Sequence, residues 1–179
     1  MLISPLEAIQ QGWIQFPDWM TEDQRQKCIQ PNAIDITADK FFGLLIGIEP
    51  ARLSETEKSF HKLRECTPDS NGFVRLHGGG AFDIQSDFYV KIPTGVAAEL
   101  IIRSTLNRMG LALNAGLWDS GFEGNLGAII HNRVGDVLMA PHTRVCQIKF
   151  YRSDSVGLYA GGYNTEKGQH WSSTQSSKE

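Results

Sequence analysis

Leu111-Ala112-Leu113-Asn114-Ala115-Gly116-Leu117-Trp118-Asp119-Ser120-Gly121-Phe122-Glu123-Gly124-Asn125-Leu126-Gly127-Ala128-Ile129-Ile130-His131 holds two β-type runs, 111–113 and 126–131, around a glycine-rich turn. An Asp-x-Gly step such as 119–121 suits a turn, because the short carboxylate bonds local backbone and glycine tolerates tight geometry. The texture continues outward. Phe88–Ile92 and Ala98–Ile102 are split by Pro93-Thr94-Gly95, and Val145–Tyr151 follows the turn Val134-Gly135-Asp136. Gly78-Gly79-Gly80 is a flexible break before a strand through Phe82 and Ile84, and Ala33-Ile34-Asp35-Ile36-Thr37 alternates as a strand should. Short strands about 8–15 residues apart predict a mainly-β sandwich or barrel of Greek-key or jelly-roll character.

Helical signals sit at the start. Ser4-Pro5-Leu6-Glu7 reads as a capping box with proline in the first turn, opening a short helix to about Gly12. Thr21-Glu22-Asp23 opens a second helix to about Cys28. Residues 51–64 are charged and expected to be helical or irregular, while the polar run 172–179 is expected to be disordered.

The chain has 179 residues, which fits one domain, and a net charge of −3. A nucleic-acid binder would show a basic excess, so no nucleic-acid partner is expected; a small phosphate ligand needs only a few local cations. Cys28, Cys66 and Cys146 are widely spaced, which suits reduced thiols in a reducing cytoplasm. Residues 1–30 lack a signal-peptide pattern, and no apolar run approaches the ~18–20 residues of a membrane span. A cytoplasmic protein without a membrane partner is the expectation.

Five blocks in order carry a resemblance. Gln30-Pro31-Asn32-Ala33-Ile34-Asp35-Ile36, Arg103-Ser104-Thr105-Leu106-Asn107-Arg108-Met109-Gly110-Leu111 and Ala115–Gly124 are followed by His142-Thr143-Arg144-Val145-Cys146-Gln147-Ile148 and Tyr163-Asn164-Thr165-Glu166-Lys167-Gly168. Together they resemble the trimeric dUTP diphosphatase and dCTP deaminase superfamily. The resemblance implies a distorted β-barrel or jelly-roll of the β-clip type with short N-terminal helices. It places one β domain over 1–156 and a flexible C-terminal lid and tail over 157–179. The helices, the Gln-Pro-Asn entry and the tail look like the deaminase branch.

The chemistry is a separate matter, because one scaffold serves two reactions. Zinc-free deamination needs a carboxylate to move protons. The deaminase branch carries a glutamate ten residues past the hairpin aspartate, and here that position is Ile129. Leu126-Gly127-Ala128-Ile129-Ile130-His131-Asn132 is instead similar to the diphosphatase strand. The resemblance therefore implies hydrolysis of a deoxypyrimidine triphosphate, dUTP to dUMP and pyrophosphate, with Asp119 activating water. Mg²⁺ would be held by the triphosphate and water, near Asp35.

Arg103, Ser104, Thr105, Arg108 and Gln147 would bind phosphates, since guanidinium, hydroxyl and amide groups all donate to phosphate oxygens. Asn114, Ala115 and Gly116 would read the pyrimidine through their main chain, with Phe122 under the deoxyribose. Tyr163 and Lys167 would complete a lid whose hinges are Gly157, Gly161, Gly162 and Gly168. Each has a plainer alternative: a turn cap for Asp119, core packing for Phe122, a strand-end salt bridge for Arg103, a surface ion pair for Arg108, a buried amide for Gln147. His131 and His142 read as structural. Glu166 stands where the family has glutamine, His142 where it has glycine, and Trp118 where it has a smaller aliphatic. The charged stretch 47–80 is longer than the family pattern. The resemblance also implies a homotrimer with sites between subunits. A dCTP deaminase, a diphosphatase for dCTP or a modified pyrimidine, and a non-catalytic nucleotide sensor are the competing readings.

Overall fold

The computed structural model describes residues 1–44 and 50–174. Among the described residues, three helices, α1 (Pro5–Gln10), α2 (Glu22–Cys28) and α3 (Ser104–Arg108), decorate twelve strands. The strands are β1 (Ile14–Gln15), β2 (Ile34–Ala38), β3 (Lys40–Leu44), β4 (Leu63–Glu65), β5 (Val74–Leu76) and β6 (Ala81–Lys91). They continue as β7 (Val96–Ile102), β8 (Leu111–Asn114), β9 (Leu117–Trp118), β10 (Glu123–Asn132), β11 (Val137–Met139) and β12 (Thr143–Arg152). A 3₁₀ turn spans Trp171–Thr174, so the start of the stretch expected to be disordered is ordered, while 175–179 lie outside the described residues.

The larger sheet runs β4-β3-β6-β10-β8, with β1 also on β6; a second runs β2-β12-β7-β9, and β11-β5 forms a small third. The mainly-β expectation holds, although the pairings among the described residues are open sheets and not a closed ring. Burial along β10 alternates strictly, which marks a strand with one face on the core. Ile34, Ile36, Phe41, Phe88, Ile130, Ile148 and Phe150 are among the fully buried side chains between the layers.

Two helix starts contrast. At α2, Thr21 accepts from the Gln24 backbone and Gln24 returns a bond to the Thr21 N–H, a complete capping box. At α1, Ser4 makes no side-chain cap. The capping box expected there does not form; Glu7 is drawn 2.6 Å from Arg152 on β12 instead. The segment 51–62 is irregular, with a bridge between Leu53 and Lys58, and 63–65 joins the sheet as β4.

The turn into β12 is kept without the family's glycine. His142 adopts φ +65°, a conformation that disfavours side chains. Its ring is held 2.5 Å from Asp39 and stacks on Trp19 with centroids 4.2 Å apart. Those contacts offset the local strain.

Candidate active site

The phosphate-type residues gather around a buried carboxylate. Asp35 on β2 lies opposite Gln147 on β12, so their side chains share a face. A register shift between Arg144 and Cys146 inserts an extra residue into β12, and this bulge brings Arg144 onto the same face. Asp35 Oδ1 accepts from Gln147 Nε2 at 2.8 Å, and Oδ2 accepts from Arg144 at 3.0 Å with Arg103 Nε 3.3 Å away. Arg103 also donates to the Arg144 carbonyl at 3.0 Å. Asp35 is 1 % exposed, so two guanidinium groups balance a charge that water cannot reach.

Mg²⁺ demands oxygen ligands, and both Asp35 oxygens are committed to nitrogen donors with two cations beside them. A direct magnesium bond from Asp35 is therefore disfavoured; the carboxylate positions Arg103, Arg144 and Gln147. Arg144 went unread as a site residue, since nothing but the bulge aligns it with Gln147. Ser104 and Thr105 are exposed in the first turn of α3, and Arg108 is exposed at its end without an ion pair among the described residues.

The hairpin residues build a different region. Asn114, Ala115, Gly116, Trp118 and Phe122 line a cavity of about 640 Å³ together with Tyr163 and Trp171. Phe122 is buried against Trp118 and Tyr159, so it is a core residue and a cavity wall together. Trp118 is buried here as well. A row crosses four strands here: Asn114 on β8 pairs with Ile129 on β10, Ile129 with Asp83 on β6, and Asp83 with Phe42 on β3, and the first three line the cavity. Asp119 is exposed at the edge of a neighbouring depression that shares Leu117 and Tyr159 with this cavity.

The C-terminal segment closes the cavity from above. Thr165 Oγ1 accepts from the Asn125 N–H at 3.1 Å, Asn164 accepts from the Glu123 N–H at 3.0 Å, and the Gly168 N–H donates to Asn125 at 2.7 Å. Gly124 is needed beneath it, because a Cβ there would come 2.8 Å from Thr165 Oγ1. Lys167 pairs with Asp18 at 3.1 Å, away from the Arg103 cluster. Tyr163 carries Lys58 over its ring at 4.4 Å, so the 51–62 segment also touches the tail. His131 lies 3.3 Å from the Asn114 amide.

One further cluster has metal-type donors. Oxygen and nitrogen atoms of Asp39, Asp87 and His142 lie within 4.8 Å of one another. Burial raises the Asp39 pKa, and the carboxylate already accepts from the Asp87 N–H and Thr37 beside His142. The geometry is that of a satisfied hydrogen-bond network.

Comparison with known proteins agrees with this architecture. A family profile described as dCTP deaminase-like matches residues 7–153. A probable deoxyuridine 5′-triphosphate nucleotidohydrolase of Methanopyrus kandleri is 30% identical over 83% of this chain and 92% of that protein. A dUMP-forming dCTP deaminase of Bifidobacterium adolescentis is 30% identical over 93% of this chain and 84% of its own. In structure, the 2′-deoxycytidine 5′-triphosphate deaminase of Agrobacterium tumefaciens aligns with a TM-score of 0.61 at 14% identity. That alignment takes in 83% of this chain and 47% of the other, and it bears on the fold alone. Both the sheet order with its hairpin and a profile spanning most of the residues lead to one placement: the chain belongs to the dCTP deaminase-like family.

Proposed function

We propose that the protein hydrolyses a deoxypyrimidine triphosphate, with dUTP as the preferred substrate, to the monophosphate and pyrophosphate. The observation that carries this reading is the cross-strand pair Ile129–Asp83. Directly opposed side chains on antiparallel strands stand about 4.5–5.5 Å apart. A deaminase glutamate at position 129 would press its charge, from a half-buried place, against the buried Asp83 carboxylate. Strand β10 thus supports a diphosphatase surface and disfavours the deaminase one.

Asp119 is the hairpin carboxylate open to water. Its role is to accept a proton from the water that attacks the α-phosphorus, as the bond to the bridging oxygen breaks and pyrophosphate leaves. Arg103 and Gln147, held by Asp35, supply donors to the phosphate oxygens. Mg²⁺ would enter with the triphosphate and would shield its charge, held by phosphate oxygens and water.

A second copy of the chain completes the site. Trp118 pairs with Ala98 on β7, so Asp119 is level with Ala97, which borders the same depression. Arg103 lies six residues further on, about 20 Å at about 3.3 Å per residue. One triphosphate cannot meet Asp119 and Arg103 of the same chain across that span. A homotrimer with sites between neighbours fits this division.

The test is incubation of purified protein with dUTP and dCTP, with and without Mg²⁺, and chromatographic separation of products. dUMP and pyrophosphate from dUTP are expected, and Asp119→Asn should lower the rate by about 10²–10⁴. Ammonia released from dCTP would overturn the assignment of the reaction, and full activity of Asp119→Asn would remove the assigned base.

A further inference from the structure

Asp83 sits near the start of β6, 2 % exposed, in a row otherwise formed by Phe42, Ile129 and Asn114. A carboxylate in such a place must find donors, because an unsatisfied buried charge is strongly unfavourable. The tail supplies one. Trp171 donates its indole N–H to Asp83 Oδ2, and His170 Nε2 lies 3.3 Å from the same oxygen. The two rings are then braced by aromatic neighbours: His170 on Phe42 at 4.4 Å, and Trp171 on Phe60 at 4.8 Å and Tyr163 at 5.9 Å. Phe60 comes from the long, charged stretch that the sequence left without a role.

We propose that Asp83 is a positioning residue that fastens the C-terminal segment, through His170 and Trp171, as the roof of the base cavity of its own chain. The inference rests on the reading of that cavity as the pyrimidine site. Asp83 does not touch the reacting atoms. It acts by making the closed tail the state in which a buried charge is satisfied: lifting Trp171 and His170 away leaves the carboxylate facing an apolar cavity. Residues 51–62 form the second half of the roof, with Phe60 and Lys58 against the tail rings. The hydrogen bonds from Asn164 to Gly168 run along the start of β10 and prolong the same docking.

The experiment compares Asp83→Asn, Trp171→Phe and the double variant by two readouts. The first is the rate of tryptic cleavage after Lys167 in the nucleotide-free protein. The second is KM and kcat for dUTP. Loss of one charge-assisted hydrogen bond should speed cleavage and raise KM by about tenfold in either single variant, with kcat within about twofold. The double variant should be no worse than Asp83→Asn alone, because that change already removes the charge that both Trp171 and His170 face. Trp171→Phe keeps the stacking surface and tests the bond even where Asp83→Asn folds poorly. Unchanged cleavage and unchanged KM in Trp171→Phe would overturn the proposal, as would additive effects in the double variant. Cleavage needs no turnover, so a protein inactive on dUTP would sink the proposed reaction and leave the fastening role to be judged by proteolysis.

Discussion

Asp35 and Asp83 are both carboxylates buried within a strand, and each relies on donors from residues far away in the chain. Asp35 collects them from rigid neighbours: Gln147 and Arg144 on the adjoining strand, and Arg103 at the end of β7. Asp83 takes its donor from a segment that follows the last strand. The same electrostatic demand therefore produces a fixed cradle in one sheet and a fastened cover on the other. What distinguishes the two is the stiffness of the partner, since a strand cannot leave its sheet locally and a terminal segment can.

This contrast can be broken in graded steps. Asp35→Ala should have the largest effect, about 3–5 kcal/mol of stability, because two partly buried guanidinium groups lose their counter-charge. Urea denaturation measures it, and a loss no larger than that of Asp83→Asn would erase the distinction. Ile129→Glu should cost about 1–2 kcal/mol, from a lost half-buried aliphatic surface and a like charge across from Asp83. The same substitution in an Asp83→Asn background should recover the electrostatic share, which a double-mutant cycle in urea reads directly.

The smallest effect lies where the tail meets β10. The hydrogen bond from Lys91 holds the Glu123 carboxyl below its ordinary value, against some opposing burial and helped by Tyr89. A depressed folded pKa contributes stability that is present above the unfolded value and fades as pH falls through the folded one. Glu123→Gln should flatten the decline in Tm as pH falls below the ordinary carboxylate range, and only slightly, because exposed pairs are weak. An unchanged acid slope would show that the Lys91 contact does not hold in solution.

Much of the architecture was readable because its strands alternate. β10 carries a clean one-sided pattern, β12 does so beyond its bulge, and the hairpin and its aspartate followed from motif order. β6 was harder. It is one continuous strand, whereas the sequence offered two fragments, because Asp83, Gln85 and Ser86 interrupt the apolar run while lying buried. Two of them have remote partners, Trp171 for Asp83 and the Gly168 carbonyl for Gln85, while Ser86 accepts from the nearby Phe88 N–H. Helix α3 spans five residues, too few to print a helical period. The Asp35 cluster was half visible: Arg103 and Gln147 stood out by motif, but Arg144 joined them through a bulge that no spacing rule reveals. The Asp83 fastening had one available signal, an acidic residue in a strand otherwise built for the core.

The roughly 20 Å of β7 between Ala97 and Arg103 has a consequence for inheritance and expression. If each site draws its base-activating aspartate from one chain and its phosphate cradle from the next, then two crippled alleles need not add up to a crippled pool. Chains carrying Asp119→Asn and chains carrying Gln147→Ala would each be silent alone, yet mixed assemblies would contain some sites with both halves intact. A cell making both would regain part of the activity that neither version supplies.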